Sequence, residues 1–304
     1  MNVKKIEYGG WPNCYRLSND QVDLVVTTDV GPRIIRFGFI DEENEFREFK
    51  EMLGKTGGDE WLIYGGHRLW HAPEQKPRTY FPDNGPVDIE EHNGMIRLIQ
   101  PTEPTTGIQK EIDIQLAPDA ARVTVTHRLI NHNLWSIELA PWALSVMARG
   151  GRAILPLPPY GSHEENLLPS NSFTLWAYTQ LSDPRWTWGS RTVFLDQDPQ
   201  AESPQKIGAL LPDGWAGYAR NGHLFLKTFG YVPQACYPDM GCNFETFTNA
   251  EILEMESVGP VVKLAPEMVV EHVERWGLYK DVPIPESDAD VEKTIAPKAD
   301  ALMQ

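Results

Sequence analysis

The chain has 304 residues, of which 41% are hydrophobic and 23% charged, with a formal net charge of -16. That charge opposes nucleic acid or an anionic membrane surface as partner, because like charges repel. It suits a neutral or locally compensated ligand, and the length fits one large domain or two.

The first residues, Met1-Asn2-Val3-Lys4-Lys5-Ile6-Glu7-Tyr8, carry no apolar run behind their lysines, and no stretch is long and apolar enough for a spanning helix. No signal peptide and a cytoplasmic location are therefore expected. Cys14, Cys236 and Cys242 form an odd set without framework spacing. They fit a reducing compartment and read as buried free thiols rather than as a pair or as ligands. Trp 10, Tyr 10 and Phe 11 supply both core and platforms on which a sugar can stack.

In chain order, strands are predicted over residues 21–28 and 32–40, with a short helix over 43–53 that lacks a clean apolar stripe. Next comes Gly65-Gly66-His67-Arg68-Leu69-Trp70-His71-Ala72-Pro73-Glu74. The diglycine opens backbone angles closed to other residues, and Pro73 biases Ala72 toward an extended conformation. The segment therefore reads as a loop or strand end that presents its side chains. His67 and His71 are four apart, but a helical zinc motif would carry a glutamate between them, and none is present. The residue types suit a polyhydroxylated ligand. Trp70 can stack on a sugar ring, Arg68 and Glu74 can bind hydroxyls, and His67 or His71 can transfer a proton. A polar surface turn with Trp70 packed as core is the competing reading.

Further strands are predicted at 95–100, 108–116, 122–129, 135–148, 223–230, 243–248, 251–258 and 268–278. The clearest alternation places Ile108, Ile112, Ile114 and Leu116 on one face and Gln109, Glu111, Asp113 and Gln115 on the other. Turn residues punctuate the strands at Asp83-Asn84-Gly85-Pro86, His92-Asn93-Gly94, Pro118-Asp119, Asp213-Gly214 and Asn221-Gly222. Residues 156–190 are broken by prolines, carry Trp176, Trp186 and Trp188, and read as loops covering one end of a sheet. Asp183 and Arg185 are close enough to pair, and one of Trp186 and Trp188 is expected in the core. Asp239 and Glu245 form a polar group that can bind sugar hydroxyls, without the ligand spacing of a calcium loop. Glu254 and Glu256 share one strand face about 7 Å apart. Two such carboxylates are costly to bury without a cation, ligand or water. Residues 281–304 read as an extended tail or a short docking helix. No linker and no repeat of fixed period is visible, so the expectation is a single domain over 1–304. Strand after strand with few helices predicts an all-β sandwich of antiparallel sheets.

Three stretches together resemble the aldose 1-epimerase, or galactose mutarotase-like, superfamily: residues 65–74, residues 129–144, and residues 247–260 with Leu264-Ala265-Pro266 and Glu274-Arg275-Trp276. Within it the chain is most similar to a bacterial branch marked by Gly-Gly-His-Arg-Leu-Trp and by Ser-Asp-Pro-Arg-Trp, the latter standing at 182–186. The resemblance implies a β-supersandwich with a sugar site on its concave face. It also implies a histidine acid and a glutamate base that open and reclose the sugar ring at the anomeric carbon. The glutamate corresponds best to Glu254 and less securely to Glu256. Arg68 matches the segment with a substrate-binding arginine, and Arg33, after Gly31-Pro32, resembles another position near the site; a structural salt bridge is the alternative for Arg33. The histidine has no counterpart, because Leu-Thr-Asn-His aligns with Leu139-Ala140-Pro141-Trp142. An indole cannot serve as an acid at neutral pH, so His67 or His71 is the expected substitute, with Trp142 beneath the ring.

The expected substrate binders are thus Arg33, Arg68, Trp70, Glu74, Trp142, Arg185, Asp239 and Glu245, with Glu254, His67 and His71 as catalytic candidates. The expected partner is a small sugar or oligosaccharide, bound by a monomer or homodimer. No Gly-x-Gly-x-x-Gly, P-loop or Gly-x-Ser-x-Gly element is present, which disfavours nucleotide cofactors and serine hydrolase chemistry, and no metal or cofactor is expected. A non-catalytic carbohydrate-binding domain and a glycoside hydrolase or lyase with paired carboxylates remain as alternatives.

Overall fold

A strand turns successive side chains to opposite faces, so an alternating sequence can bury one face and hydrate the other. The Ile108–Leu116 strand does so: Ile108, Ile112, Ile114 and Leu116 are buried and Gln115 is exposed. The computed structural model describes residues 2–92 and 94–304. Met1, and Asn93 of the turn expected at 92–94, lie outside the described residues.

Among the described residues the strands form two antiparallel sheets. The first runs Asn2–Tyr8, Trp11–Ser18, Val22–Thr27, Arg33–Phe39, Gly66–Ala72, Ile137–Met147, Leu253–Val258, Phe244–Thr248, Gln205–Ala209 and Phe173–Leu175, with Val262–Leu264 also paired to Ile137–Met147. The second runs Trp186–Trp188, Thr192–Asp196, Arg152–Pro156, Trp215–Arg220, His223–Phe229, Val269–Tyr279, Arg122–Asn131, Ile108–Leu116, Met95–Ile99 and Asp88–His92. One core lies between them. Leu24, Val26 and Met255 of the first sheet meet Ile112, Val125 and Leu195 of the second. Trp276 sits at its centre, with the rings of Phe37, Phe46 and Phe225 at centroid distances of 5.9, 5.6 and 5.7 Å. Such aromatic contacts add to the stabilisation from burial alone.

One expectation is corrected and one pair of alternatives is decided. Residues 43–53 are not a helix. Phe46 bridges to Met147 and Glu48 to Gly65, because burying Phe46 in the central core requires an extended approach to the sheet. Of the two alternatives for residues 281–304, the short docking helix stands and the extended tail does not, since 288–303 are helical. The Ser287 hydroxyl accepts from the Asp290 amide and the Asp290 carboxylate accepts from the Ser287 amide, a capping box. Val291, Ile295, Ala299 and Leu302 then bury one stripe against Ile154, Phe194, Trp215 and Leu226 on the outside of the second sheet. Pro297 falls in the first turn of Ala296–Met303, where a missing N–H is tolerated.

Ile295 is fully buried beneath that helix. Ile295→Ala is expected to cost about 2–5 kcal/mol in urea unfolding of the full chain. A cost below about 1 kcal/mol would mean that the stripe contributes little to the packed state.

Candidate functional site

Five adjacent strands of the first sheet carry the site: Gly66–Ala72, Ile137–Met147, Leu253–Val258, Phe244–Thr248 and Gln205–Ala209. Residues opposite one another in a ladder share a face. Trp142 lies opposite Trp70 and Val258, and Leu144 opposite Arg68 and Glu256. Glu245 lies opposite Glu256, and Phe247 opposite Glu254 and Lys206. All of these side chains stand on the outward face. The diglycine locks the edge of this arrangement. Gly65 and Gly66 have φ of 101° and 71°, and a Cβ on either would run into the backbone carbonyl of Arg47 or Ile34. These glycines therefore serve close backbone packing at a strand start, not a free loop.

The outward face forms a cavity of about 250 Å³ walled by Trp61, Trp70, Trp142, Tyr80 and Tyr178 and floored by Arg68, Lys206, Glu254 and Glu256. Arg68 lies over the rings of Trp70 and Trp61, at 4.5 and 5.3 Å. Its Nη2 donates to Glu254 Oε1 at 3.0 Å, while Nε and Nη1 have no protein acceptor. Lys206 Nζ reaches Glu245 at 2.6 Å and Glu256 at 3.1 Å, between the rings of Trp142 and Trp176 at 4.9 and 4.7 Å. Trp142 Nε1 donates to Glu256 Oε2 at 3.0 Å, and Glu256 Oε1 is left without a partner. Burial, helped by Glu245 and Glu254, pushes the Glu256 carboxyl up to about 8 against the pull of Lys206. Although burial opposes its charge, Glu245 and Glu256 hold the Lys206 ammonium well above its ordinary value. One cation thus serves two buried carboxylates, and the proton affinity of Glu256 is the one raised toward neutral pH. Nearby, burial and then Glu245 push Asp239 up to about 6. Tyr80 donates its hydroxyl to Glu74 at the rim.

No family model matches the sequence, and no curated protein matches it. Solved structures do match in shape. A proposed aldose 1-epimerase from Klebsiella pneumoniae has a TM-score of 0.63 at 12% identity, covering 99% of this chain and 87% of the other. A proposed mutarotase from Salmonella typhimurium has 0.61 at 10%, covering 91% and 94%. A galactose mutarotase-like protein from Lactobacillus casei has 0.55 at 9%, covering 88% and 100%. The chain has the galactose mutarotase-like fold.

Within this mutarotase-like sandwich, Arg68, Trp70, Glu74, Trp142 and Glu254 line the first cavity. Asp239 and Glu245 line an adjoining hollow with Glu74, Tyr80 and Trp142. Four candidates lie elsewhere. His67 is on the inward face, one residue out of phase with Arg68, and fully buried between the sheets. His71 is out of phase with Trp70 and lines a separate cavity of about 370 Å³ with Arg78, Ile108 and Trp135. Burial, then Lys110 and Arg78, push its imidazole down to about 3, so it is neutral there. Arg33 is fully buried, and its Nη2 donates to both oxygens of Asp83 at 2.9 and 2.8 Å, the salt-bridge alternative. Arg185 forks onto Asp183 and also donates to the Ser203 carbonyl. Sequence reasoning missed Lys206, Trp61, Tyr80, Tyr178 and Trp176. Lys206 lies on a strand of five residues, too short to show a period.

The inward face behind the cavity carries a polar network. His127 Nδ1 is 2.9 Å from the His272 carbonyl, which can only accept, so that nitrogen carries the proton. His127 Nε2 then accepts from His67 Nε2 at 2.7 Å, and His67 Nδ1 accepts from the Ser145 hydroxyl at 2.9 Å. Glu274 accepts from Lys227, Ser257 and Trp276 at 2.7, 2.6 and 2.7 Å. His67, His127 and Glu274 bring donor atoms within 4.8 Å of one another, but those atoms already have hydrogen-bond partners. Burial keeps His67 and His127 below their ordinary range and pushes His272 down to about 3.

Burial disfavours the charged form of these imidazoles in the folded state, whereas in the unfolded chain they take up protons near pH 6.5. The unfolded state therefore binds more protons as pH falls below 6.5, and stability drops from there toward about 3. Unfolding free energies measured from pH 6 to 4 are expected to fall as pH drops, with His272 contributing up to about 1.4 kcal/mol per unit. A flat profile would mean that the cluster is charged when folded.

Proposed function

We propose that the cavity binds a sugar and interconverts its anomers in the manner of an aldose 1-epimerase. The observation that carries this reading is a pair of carboxylates in unlike surroundings on one strand face. Glu254 is ion-paired with Arg68, while Glu256 is buried and pushed up to about 8. Environments that separate two titratable groups in this way supply a base and an acid from the same side-chain type. The pair, about 7 Å apart along the strand, brackets adjacent oxygens of one ring at hydrogen-bond length. Glu254 takes the proton of the C1 hydroxyl. Glu256 gives its proton to the ring oxygen as the C1–O bond breaks, leaving an open-chain aldehyde. Rotation about the bond to C1 and the reverse transfers close the ring on the other face. The free Nε and Nη1 of Arg68 donate to sugar hydroxyls, and the indoles lie against the C–H faces of the ring. The mutarotase-like fold supports a sugar as ligand. It does not by itself choose the reaction.

A second reading, sugar binding without turnover, is favoured by one observation: no imidazole is among the residues lining the cavity, and Trp142 occupies the position where the resemblance places the acid. Exchange NMR on freshly dissolved glucose and galactose separates the two. Under the first reading the protein accelerates anomer exchange, and Glu254→Gln lowers the acceleration by about 100-fold or more while calorimetric binding persists. Acceleration also declines as pH rises through about 8, because Glu256 loses the proton it donates. Binding with exchange at the buffer rate establishes the second reading instead, and absence of both removes the sugar reading altogether.

A further inference from the structure

Resting on the sugar reading above, we infer that the ligand is a saccharide of two units without phosphate or other anionic groups, its second unit seated in the hollow beside the cavity. That hollow has a volume of about 250 Å³, equal to the first, and shares Glu74, Tyr80 and Trp142 with it. Each space is smaller than the roughly 300–1,000 Å³ usual for a larger ligand, so each suits a single ring and the two together suit a linked pair.

The second hollow has its own equipment for a sugar. Trp176 provides an aromatic wall, Gln75 offers donors and an acceptor, and Asp239 and Glu245 offer acceptors for hydroxyls. Lys206 is held against both Trp142 and Trp176, so the two spaces meet at a fixed boundary.

Charge disfavours an anion. The cations around the two spaces are Arg68, Lys76 and Lys206, against the carboxylates of Glu74, Asp239, Glu245, Glu254 and Glu256. Arg68 is committed to Glu254, and Lys206 to Glu245 and Glu256. Lys76 lies over the ring of Tyr80, whose hydroxyl is bonded to Glu74. A phosphate or uronate would meet five carboxylates against three cations, two of which are already ion-paired.

Calorimetry on the full chain tests this with glucose, galactose, maltose, lactose, cellobiose and glucose 6-phosphate. At least one disaccharide is expected to bind about tenfold more tightly than either monosaccharide, and glucose 6-phosphate about tenfold more weakly than glucose. Trp176→Ala brings disaccharide affinity to within about threefold of the monosaccharide value. Gln75→Ala, at the rim, shifts the same ratio in the same direction and stands in should the tryptophan variant fail to fold by thermal melting. Monosaccharides binding as tightly as every disaccharide, or glucose 6-phosphate binding more tightly than glucose, overturns this inference and leaves the sugar site intact. Failure of every unphosphorylated sugar to bind removes the sugar site and this inference together.

Discussion

The phase of the Ile137–Met147 strand is the constraint on which both faces of the first sheet depend. Trp142 and Leu144 look outward among indoles and carboxylates, while Ser145 looks inward onto His67. A shift of one residue would exchange the two environments, placing a serine in the cavity and an indole against the buried histidines. The neighbouring Gly66–Ala72 strand is held to the same phase by close backbone packing at Gly65 and Gly66. The cavity and the buried network are therefore two sides of a single pairing register.

This also accounts for what could be read from the residues beforehand. The strands at 108–116, 122–129 and 268–278 were visible because one side of each meets the core and the other does not. The Gly66–Ala72 segment gave no such signal, because both of its faces are buried, one under Trp61 and Tyr80 and the other against the second sheet. A strand sealed on both sides has no polar alternation, and its clustered functional groups look like a presenting loop. Hence the residues alone group Arg68 and Trp70 with His67 and His71, although strict alternation sends the two kinds to opposite faces. The C-terminal helix is legible only as one of two alternatives, because its apolar stripe is four residues long and interrupted by Pro297. Lys206 could not be found by any local pattern. Its role arises from strand order, which brings Gln205–Ala209 beside Phe244–Thr248 and so close to Glu256.

The two buried polar groupings are balanced differently. On the inward side, Glu274 is satisfied by an ammonium, a hydroxyl and an indole, and the histidines pair with neutral partners. Every lone pair named there has a donor, the condition under which burying polar groups contributes to a unique structure rather than opposing it. On the outward side, Arg68 Nε and Nη1 have no acceptor and Glu256 Oε1 has no partner. Unmet hydrogen-bonding capacity at a concave aromatic-walled surface is the pattern of a site whose complement comes from outside the chain.

The single ammonium shared by Glu245 and Glu256 has a thermodynamic corollary. With three coupled ionisable groups in one partly enclosed pocket, occupancy of the cavity and protonation of the protein are linked functions. A wholly uncharged molecule that changes the proton affinity of Glu256 draws a proton from solution or releases one to it. Heat measured on association would then vary with the ionisation enthalpy of the buffer.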